Sequence, residues 1–236
     1  MSSICTRLFP FLIASLLVAC AAPAPRVTVS AQQLSSIQSV VVVRAPEPLG
    51  YTVVNLGHPG LAFGLIGGAA AAADMKQKTE QLTSVLRIQG GGFTAKLAEM
   101  VVQRLRADGY DARAEDGPWE RKDDHFQLDF EKIHSDADAV LVLTPQIVGF
   151  VATGMTSDYL PSLTVVATLL DRQRHQIYRG FHSYGYTPKQ EGWKAASAKK
   201  TFVNFDAMMA DPAATAAALR AAGIAIADSV AGDLRR

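Results

Sequence analysis

The chain has 236 residues, of which 49% are hydrophobic and 19% charged, and its formal net charge is +1. This length allows one hydrophobic core and is short for two. Because basic and acidic residues nearly balance, the chain has no excess of positive charge to neutralise phosphates, and we expect no nucleic-acid partner.

Residues 1–19 predict a cleaved leader. Arg7 supplies a basic start, and the apolar run that follows it ends at Ala19. This run is shorter than the roughly 20 residues that a membrane-spanning helix needs. A basic start, a short apolar stretch and small residues before a cleavage point are typical of a secretory signal. We therefore predict cleavage between Ala19 and Cys20.

The tetrapeptide Leu17-Val18-Ala19-Cys20 resembles the lipobox of bacterial lipoproteins. The resemblance implies that the Cys20 thiol carries a diacylglyceryl group and that the new amine is acylated by a fatty acid such as palmitate. It further implies, because Ala21 follows the cysteine, a place on the periplasmic face of the outer membrane. The alternative is an ordinary secretion signal in which the cysteine has no role.

Cysteine contributes nothing else to the predicted mature chain. Cys5, the other cysteine of the sequence, leaves with the leader. An alkylated Cys20 cannot form a disulfide, hold a metal or act as a nucleophile. Residues 21–37 are small, polar and proline-containing, so we predict a flexible tether over residues 20–37. An edge strand at residues 26–30 is the alternative for part of it.

The remaining residues, 38–236, predict a single periplasmic domain. Continuous β-branched residues from Val40 to Val43 indicate a strand covered on both faces. Two helices follow, one beginning near Met75 and one over residues 94–108, with Gly109 placed as the C-terminal cap residue. A short alternating strand over residues 110–115 comes next.

The second half of the domain is rich in strands. Residues 137–153 predict a long strand, broken into two pieces at Pro145. Residues 162–171 and 175–187 predict an antiparallel hairpin. A last helix opens with Pro212 and is capped by Asp211. Adjacent hairpin strands and flanking helices predict an α/β (α+β) fold with a mixed β-sheet and packed helices.

This order of elements, over residues 38–234, resembles the small α/β domains of several envelope proteins. They are the activators of penicillin-binding proteins, the periplasmic part of the curli secretion channel, and the amino-terminal domain of TolB. The resemblance is one of order and length, and no residue motif carries it. No functional residue is therefore transferred to this chain.

Motifs for catalysis are absent from the sequence: we find no HExxH, GxSxG, P-loop or dinucleotide-binding glycine pattern. The glycines at 90–92 precede a helix; a hinge between two helices is the favoured interpretation, and an anion site formed by their backbone amides is the alternative. We predict no cofactor, no metal and no enzymatic activity.

The histidines offer two candidate metal sites, and we favour neither. His134, Asp136 and Asp138 alternate before a buried strand, and a solvated loop is the favoured interpretation. His175 and His182 are seven residues apart on one predicted strand, so they face opposite sides of the sheet.

The segment 57–92 has a regular spacing of small residues, the most distinctive pattern not yet assigned. Gly60, Gly64, Gly68 and Ala72 recur every four residues and would form one smooth face on a helix. Glycine costs about 1 kcal/mol relative to alanine inside a helix, so we expect this face to contact another helix or another copy of the chain. Insertion into lipid and a flexible loop are the alternatives; the apolar run is too short to span a bilayer.

These observations predict a non-enzymatic outer-membrane lipoprotein that binds a protein partner in the periplasm. The alternative is an oligomeric component of an envelope transport or secretion assembly, assembled through residues 57–92. A third hypothesis is a hydrolase that uses His134 or His182.

Overall fold

The computed structural model describes residues 25–123 and 125–236. The leader, Ala19 and Cys20 lie outside the described residues, so cleavage and lipidation stay predictions. The chain from Pro25 onward is described below.

The described residues form five α-helices, two short 3-10 helices and nine strands. The α-helices are α1 (Ala31–Ser36), α2 (Gly64–Ile88), α3 (Phe93–Ala107), α4 (Phe205–Ala210) and α5 (Pro212–Asp233), and short 3-10 helices cover Pro59–Ala62 and Phe130–Lys132. The strands are β1 (Ser39–Arg44), β2 (Thr52–Asn55), β3 (Asp111–Asp116), β4 (Trp119–Lys122), β5 (His125–Leu128), β6 (Ala139–Ala152), β7 (Leu160–Asp171), β8 (Gln176–Tyr184) and β9 (Trp193–Ala196).

Seven of these strands form one mixed sheet in the order β3-β1-β6-β7-β8-β9, and β2 pairs with the last residues of β6. β1 is parallel to both β3 and β6, whereas β7 is antiparallel to β6 and to β8. β4 and β5 form a separate hairpin. The predicted mixed α/β fold is confirmed.

The sheet is covered on both faces, as the valine run of β1 predicts. Val40 and Val42 point into the large core under α3 and α5. Val41 and Val43 point the other way, into a smaller core under the β4–β5 hairpin. A continuous β-branched strand fits this position because both of its faces are buried.

β6 is one continuous strand, so the predicted break at Pro145 is wrong. The ladder to β7 shifts register between Pro145 and Ile147 and then continues. Proline cannot donate a ladder hydrogen bond, and a bulge absorbs this loss without ending the strand. The Ile147 amide that the bulge displaces donates instead to Thr164 Oγ1, at 3.0 Å.

The predicted flexible tether over residues 20–37 does not hold for residues 25–37, which pack on the domain. Val27 pairs with Arg179 through two backbone hydrogen bonds. α1 is closed by a capping box at Ser30, and Leu34 and Ile37 are buried in the large core. The capping and the buried leucine outweigh the small, polar composition on which the prediction was based.

α5 closes the core and begins as predicted, with Asp211 Oδ1 accepting a hydrogen bond from the Ala214 amide at 2.9 Å. Within the described chain it is the one helix long and apolar enough to cross a membrane. Its buried face, however, packs on α3, β7 and β8. We therefore assign it as the core helix of the domain.

Candidate functional site

A groove lies at the carboxyl end of β1, where the chain turns away from the sheet. One wall is the start of β2 with the loop before it, a second is the bulge of β6, and the third is the β4–β5 hairpin. β2 continues the line of β1 along the same edge of β6; the chain therefore leaves β1 toward β3 on one side, whereas it leaves β6 toward β7 on the other. Ligands of open α/β sheets bind at such switch points.

The lining of this groove, which we call the switch-point groove, contains no carboxylate, ammonium or guanidinium group. Its volume is about 270 Å³. It is lined by apolar, aromatic, hydroxyl and amide groups, with His125 as the one titratable side chain: Ala45, Pro46, Pro48, Leu49, Gly50, Thr52, Thr94, Trp119, His125, Phe126, Thr144, Pro145, Gln146 and Val148. Such a lining suits a neutral ligand with amide groups and apolar side chains better than a phosphate or a charged metabolite.

Local structure fixes the walls of the groove. Trp119 Nε1 donates a 2.7 Å hydrogen bond to the Arg44 carbonyl, which holds the hairpin over the end of β1. Gln146 is exposed at the β6 bulge that Pro145 causes. On the far side, Glu47 accepts a hydrogen bond from the Thr94 hydroxyl at 3.3 Å.

A buried polar network joins β8 to α5. Tyr178 and His182 lie on the same face of β8, and Ser229 and Asp233 lie one turn apart on α5. The Tyr178 hydroxyl is 2.8 Å from His182 Nε2 and donates to Asp233 Oδ2, also at 2.8 Å. Because that hydroxyl has one hydrogen, His182 donates from Nε2, and its Nδ1 accepts from Ser229 Oγ at 2.8 Å.

This chain of hydrogen bonds contains a serine hydroxyl, a candidate nucleophile, and a histidine, a candidate base. The surroundings of the two groups, however, oppose catalysis. His182 is fully buried, and burial, with the cations Lys194 and Arg26, lowers its pKa to about 3. A base this weak does not activate a hydroxyl at neutral pH. Ser229 also lies inside α5, where backbone amides are used within the helix and are not free to stabilise an oxyanion.

The network instead holds the two ends of the domain together. Asp233 is almost buried and forms ion pairs with Lys194 and, at 2.9 Å, with Arg26. Arg26 belongs to the first described residues, while Asp233 ends α5. The carboxylate therefore fixes the amino-terminal segment and β9 to the last helix.

A third feature is an exposed apolar end of α2, which we call the apolar tip. It consists of six large side chains on the 3-10 helix, the first turn of α2 and the adjacent loops: Leu56, Leu61, Phe63, Leu65, Ile66 and Met155. Leu65 is 95% exposed and Ile66 is 88% exposed. Soluble monomers rarely expose such clusters without a binding function.

The predicted small-residue stripe does not form as one contact face. Gly60 lies in the 3-10 helix before α2, Gly64 has a φ of +62°, and neither Gly64 nor Gly68 has another group within 4 Å of an added Cβ. Ala72 is exposed. The contact within the domain is made by Gly67 and Ala71, which face Gly60 closely. Assembly with another copy through the stripe stays a prediction.

The other candidate residues stay apart. Asp136 pairs with Arg113, and Asp138 accepts hydrogen bonds from the Gln38 and Ser39 amides at 2.9 Å, which fixes the start of β1. His134 is exposed, and His175 lies in the turn before β8, away from the buried His182. Residues 25–123 and 125–236 contain no group of three metal-ligating side chains.

Sequence reasoning missed both the groove and the network. A usable signal for the network was the alternation Tyr178, Gly180, His182, which places a small residue between two polar ones on one strand face. The groove had no local signal, because its walls come from four segments far apart in the chain. No model of a protein family, no curated protein and no solved structure matches this chain.

Proposed function

We propose that this chain is a lipid-anchored protein of the outer membrane, facing the periplasm, that acts by binding a protein partner and not by catalysis. The observation that supports it best is the switch-point groove, which is open, placed where α/β sheets bind ligands, and lined without a carboxylate, ammonium or guanidinium group. An uncharged polypeptide segment fits this lining.

The proposed partner segment would use the two kinds of group that the groove offers. Proline rings, Trp119 and Phe126 supply apolar contact, and the Gln146 amide with the threonine hydroxyls supplies hydrogen bonds to a peptide backbone. The buried state of His182 argues against the hydrolase hypothesis for that residue.

Photo-cross-linking in intact cells tests this proposal. A photoreactive amino acid replaces Gln146 in the groove or, as the matched control, Gln103, which is exposed on α3. We expect one heterologous product from position 146 and none from position 103. Leu49→Asp, which places a charge at the half-exposed rim of the groove, should remove that product.

Other outcomes would contradict the proposal. Equal products from both positions, or no product from position 146, would exclude the groove as the binding site. A ladder at multiples of the chain's own mass would support the second candidate function, an oligomeric component of an envelope transport or secretion assembly. The exposed Leu65 and Ile66 favour that candidate.

A further inference from the structure

A second groove lies on the face of the sheet opposite α5, and we call it the arginine groove. Its volume is about 450 Å³. It is lined by two arginines together with apolar, hydroxyl and amide groups: Phe130, Thr144, Gln146, Val166, Thr168, Leu170, Arg174, Gln176 and Arg179. Within the described part of the chain, this lining has two positive charges and no carboxylate. The groove therefore favours a ligand that carries negative charge.

The side chain of Arg179 is held in the groove without a counter-ion. Its Nε is buried and has no hydrogen-bond partner within residues 25–123 and 125–236. The guanidinium carbon lies 5.7 Å from the centre of the Phe181 ring, which supports the side chain from the same strand. A buried donor without a partner is costly, and an acceptor on a bound ligand would remove that cost.

Arg174 reaches the same groove from the turn between β7 and β8. Its Nη1 donates to the Phe130 carbonyl at 3.3 Å, which fixes the guanidinium and leaves its other donors for a ligand. The carboxylates closest in sequence are engaged elsewhere. Asp129 pairs with Lys132 at 3.0 Å, and Asp171 accepts from the His175 amide at 2.8 Å. The domain thus supplies the donors of this groove and not the acceptors.

The arginine groove continues the switch-point groove. Thr144 and Gln146, at the β6 bulge, line both of them. Arg179 is opposite Thr168 of β7, which is opposite Val142 of β6. At about 4.8 Å between strands and roughly 3.3 Å per residue, the Cα atoms of Gln146 and Arg179 are about 14 Å apart, which an extended segment of roughly four residues spans.

We propose that the partner segment whose uncharged stretch fills the switch-point groove continues with an Asp or Glu side chain that binds Arg174 and Arg179. The inference rests on the proposed function and names the chemistry of its partner. A carboxylate accepts charge-assisted hydrogen bonds from guanidinium groups in a planar, paired geometry. A lipid phosphate would also satisfy the arginines, but it would leave the adjoining uncharged groove empty. The continuity of the two grooves therefore favours a polypeptide.

Arginine variants of the chain with a photoreactive residue at position 146 test this inference in intact cells. Arg174→Gln and Arg179→Gln each remove charge-assisted hydrogen bonds, so we expect the yield of the heterologous product to fall about tenfold. Arg220→Gln is the matched control, because Arg220 is exposed on α5, which covers the other face of the sheet. Arg179→Lys keeps the charge and the apolar stem and should retain more product than Arg179→Gln.

The identity of the cross-linked segment provides a second readout that does not depend on the folding of a variant. Peptide mapping of the product from position 146 should find an Asp or Glu within about four residues of the cross-linked site. A mapped segment without such a residue would overturn the inference and leave the proposed function intact. Equal yields from Arg174→Gln, Arg179→Gln and Arg220→Gln would do the same.

Two further outcomes are distinguishable from these. No product from position 146 in the otherwise wild-type chain would overturn the proposed function, and this inference with it. A photoreactive residue in place of Gln176, which is exposed beside the arginines, should label the same partner as position 146. Labelling of phospholipid from position 176, with the protein product from position 146 unchanged, would overturn the inference and assign the arginines to a lipid headgroup.

Discussion

The Tyr178 hydroxyl lies 2.8 Å from His182 Nε2, although the two residues are four apart on one strand. Gly180 makes this approach possible, because it lies between them on the same strand face. A Cβ at position 180 would be 1.9 Å from the tyrosine oxygen and 2.6 Å from the histidine nitrogen. Glycine is therefore required here for space.

Gly180→Ala should destabilise the domain by about 1–3 kcal/mol, the usual effect of overpacking a core. Tyr178 is buried, and its hydroxyl is held between His182 and Asp233 by hydrogen bonds that a shift of the ring would break. The measurement is the free energy of unfolding in urea. Gly232→Ala is the control, because Gly232 is in α5 with no group within 4 Å; it should change stability by less than about 1 kcal/mol. Equal losses in the two variants would contradict the packing argument.

Stability should fall as the pH is lowered from 6.5 to 3. Burial lowers the pKa of His182 from 6.5 to about 3, so between these values the unfolded chain binds a proton that the folded chain does not. The stabilisation from neutral His182 is complete above pH 6.5 and lost toward pH 3. The loss over this window is on the order of 4 kcal/mol, since one pKa unit corresponds to about 1.4 kcal/mol.

His182→Gln isolates this contribution, because an amide still donates to Tyr178 and accepts from Ser229 but does not titrate. Asp233, Lys194 and Arg26, the charged groups around the histidine, are unchanged in the variant. The free energy of unfolding, measured from pH 7 to pH 4, should depend less steeply on pH in the variant. Parallel curves for the two proteins would show that His182 is not the titrating group.

Arg26→Gln should loosen the amino-terminal segment while the fold persists, because Lys194 still pairs with Asp233. The Val27 amide, which donates to the Arg179 carbonyl at 3.0 Å, should exchange its hydrogen roughly tenfold faster, as expected for loss of one charge-assisted hydrogen bond. Arg235→Gln removes a 3.4 Å pair of an exposed arginine and serves as the control. Unchanged exchange at Val27 in Arg26→Gln would refute the proposed link.

Adjacent glycines at the start of α2 should respond in opposite ways to alanine. Gly67→Ala should destabilise the tip, because an added Cβ would lie 2.3 Å from the Gly60 carbonyl oxygen. Gly68→Ala meets no neighbouring group and should stabilise the helix by up to about 1 kcal/mol. Hydrogen exchange over residues 64–71 gives the readout. Destabilisation by Gly68→Ala and not by Gly67→Ala would instead support the predicted stripe, in which Gly68 contacts another group.

Local chemistry predicted the elements that have strong local signals. Val40–Val43, the Asp211 cap and Gly109 were placed correctly, because β-branched runs, capping carboxylates and a glycine with a φ of +88° act within a few residues. β2, β4, β5 and β9 were missed, since each has four residues and is held mainly by tertiary contacts. The walls of the switch-point groove are also brought together by tertiary contacts, which short stretches of sequence do not predict.

The four stripe residues do not share one contact face inside the domain, and the position of the helix start explains why. Spacing by four puts residues on one face only if the helix includes them all, and α2 begins at Gly64, after the turn that contains Gly60. That turn folds back onto Gly67 and Ala71. The helix start, which has no side-chain cap, carried no signal that would have located it.

The membrane attachment on which the proposed function depends is tested most directly by the mass of the amino-terminal peptide of the mature chain. The account predicts a peptide that begins at Cys20 and is heavier than its sequence by a diacylglyceryl group and one further acyl chain. An unmodified Cys20, or a peptide that still contains residues 1–19, would contradict it.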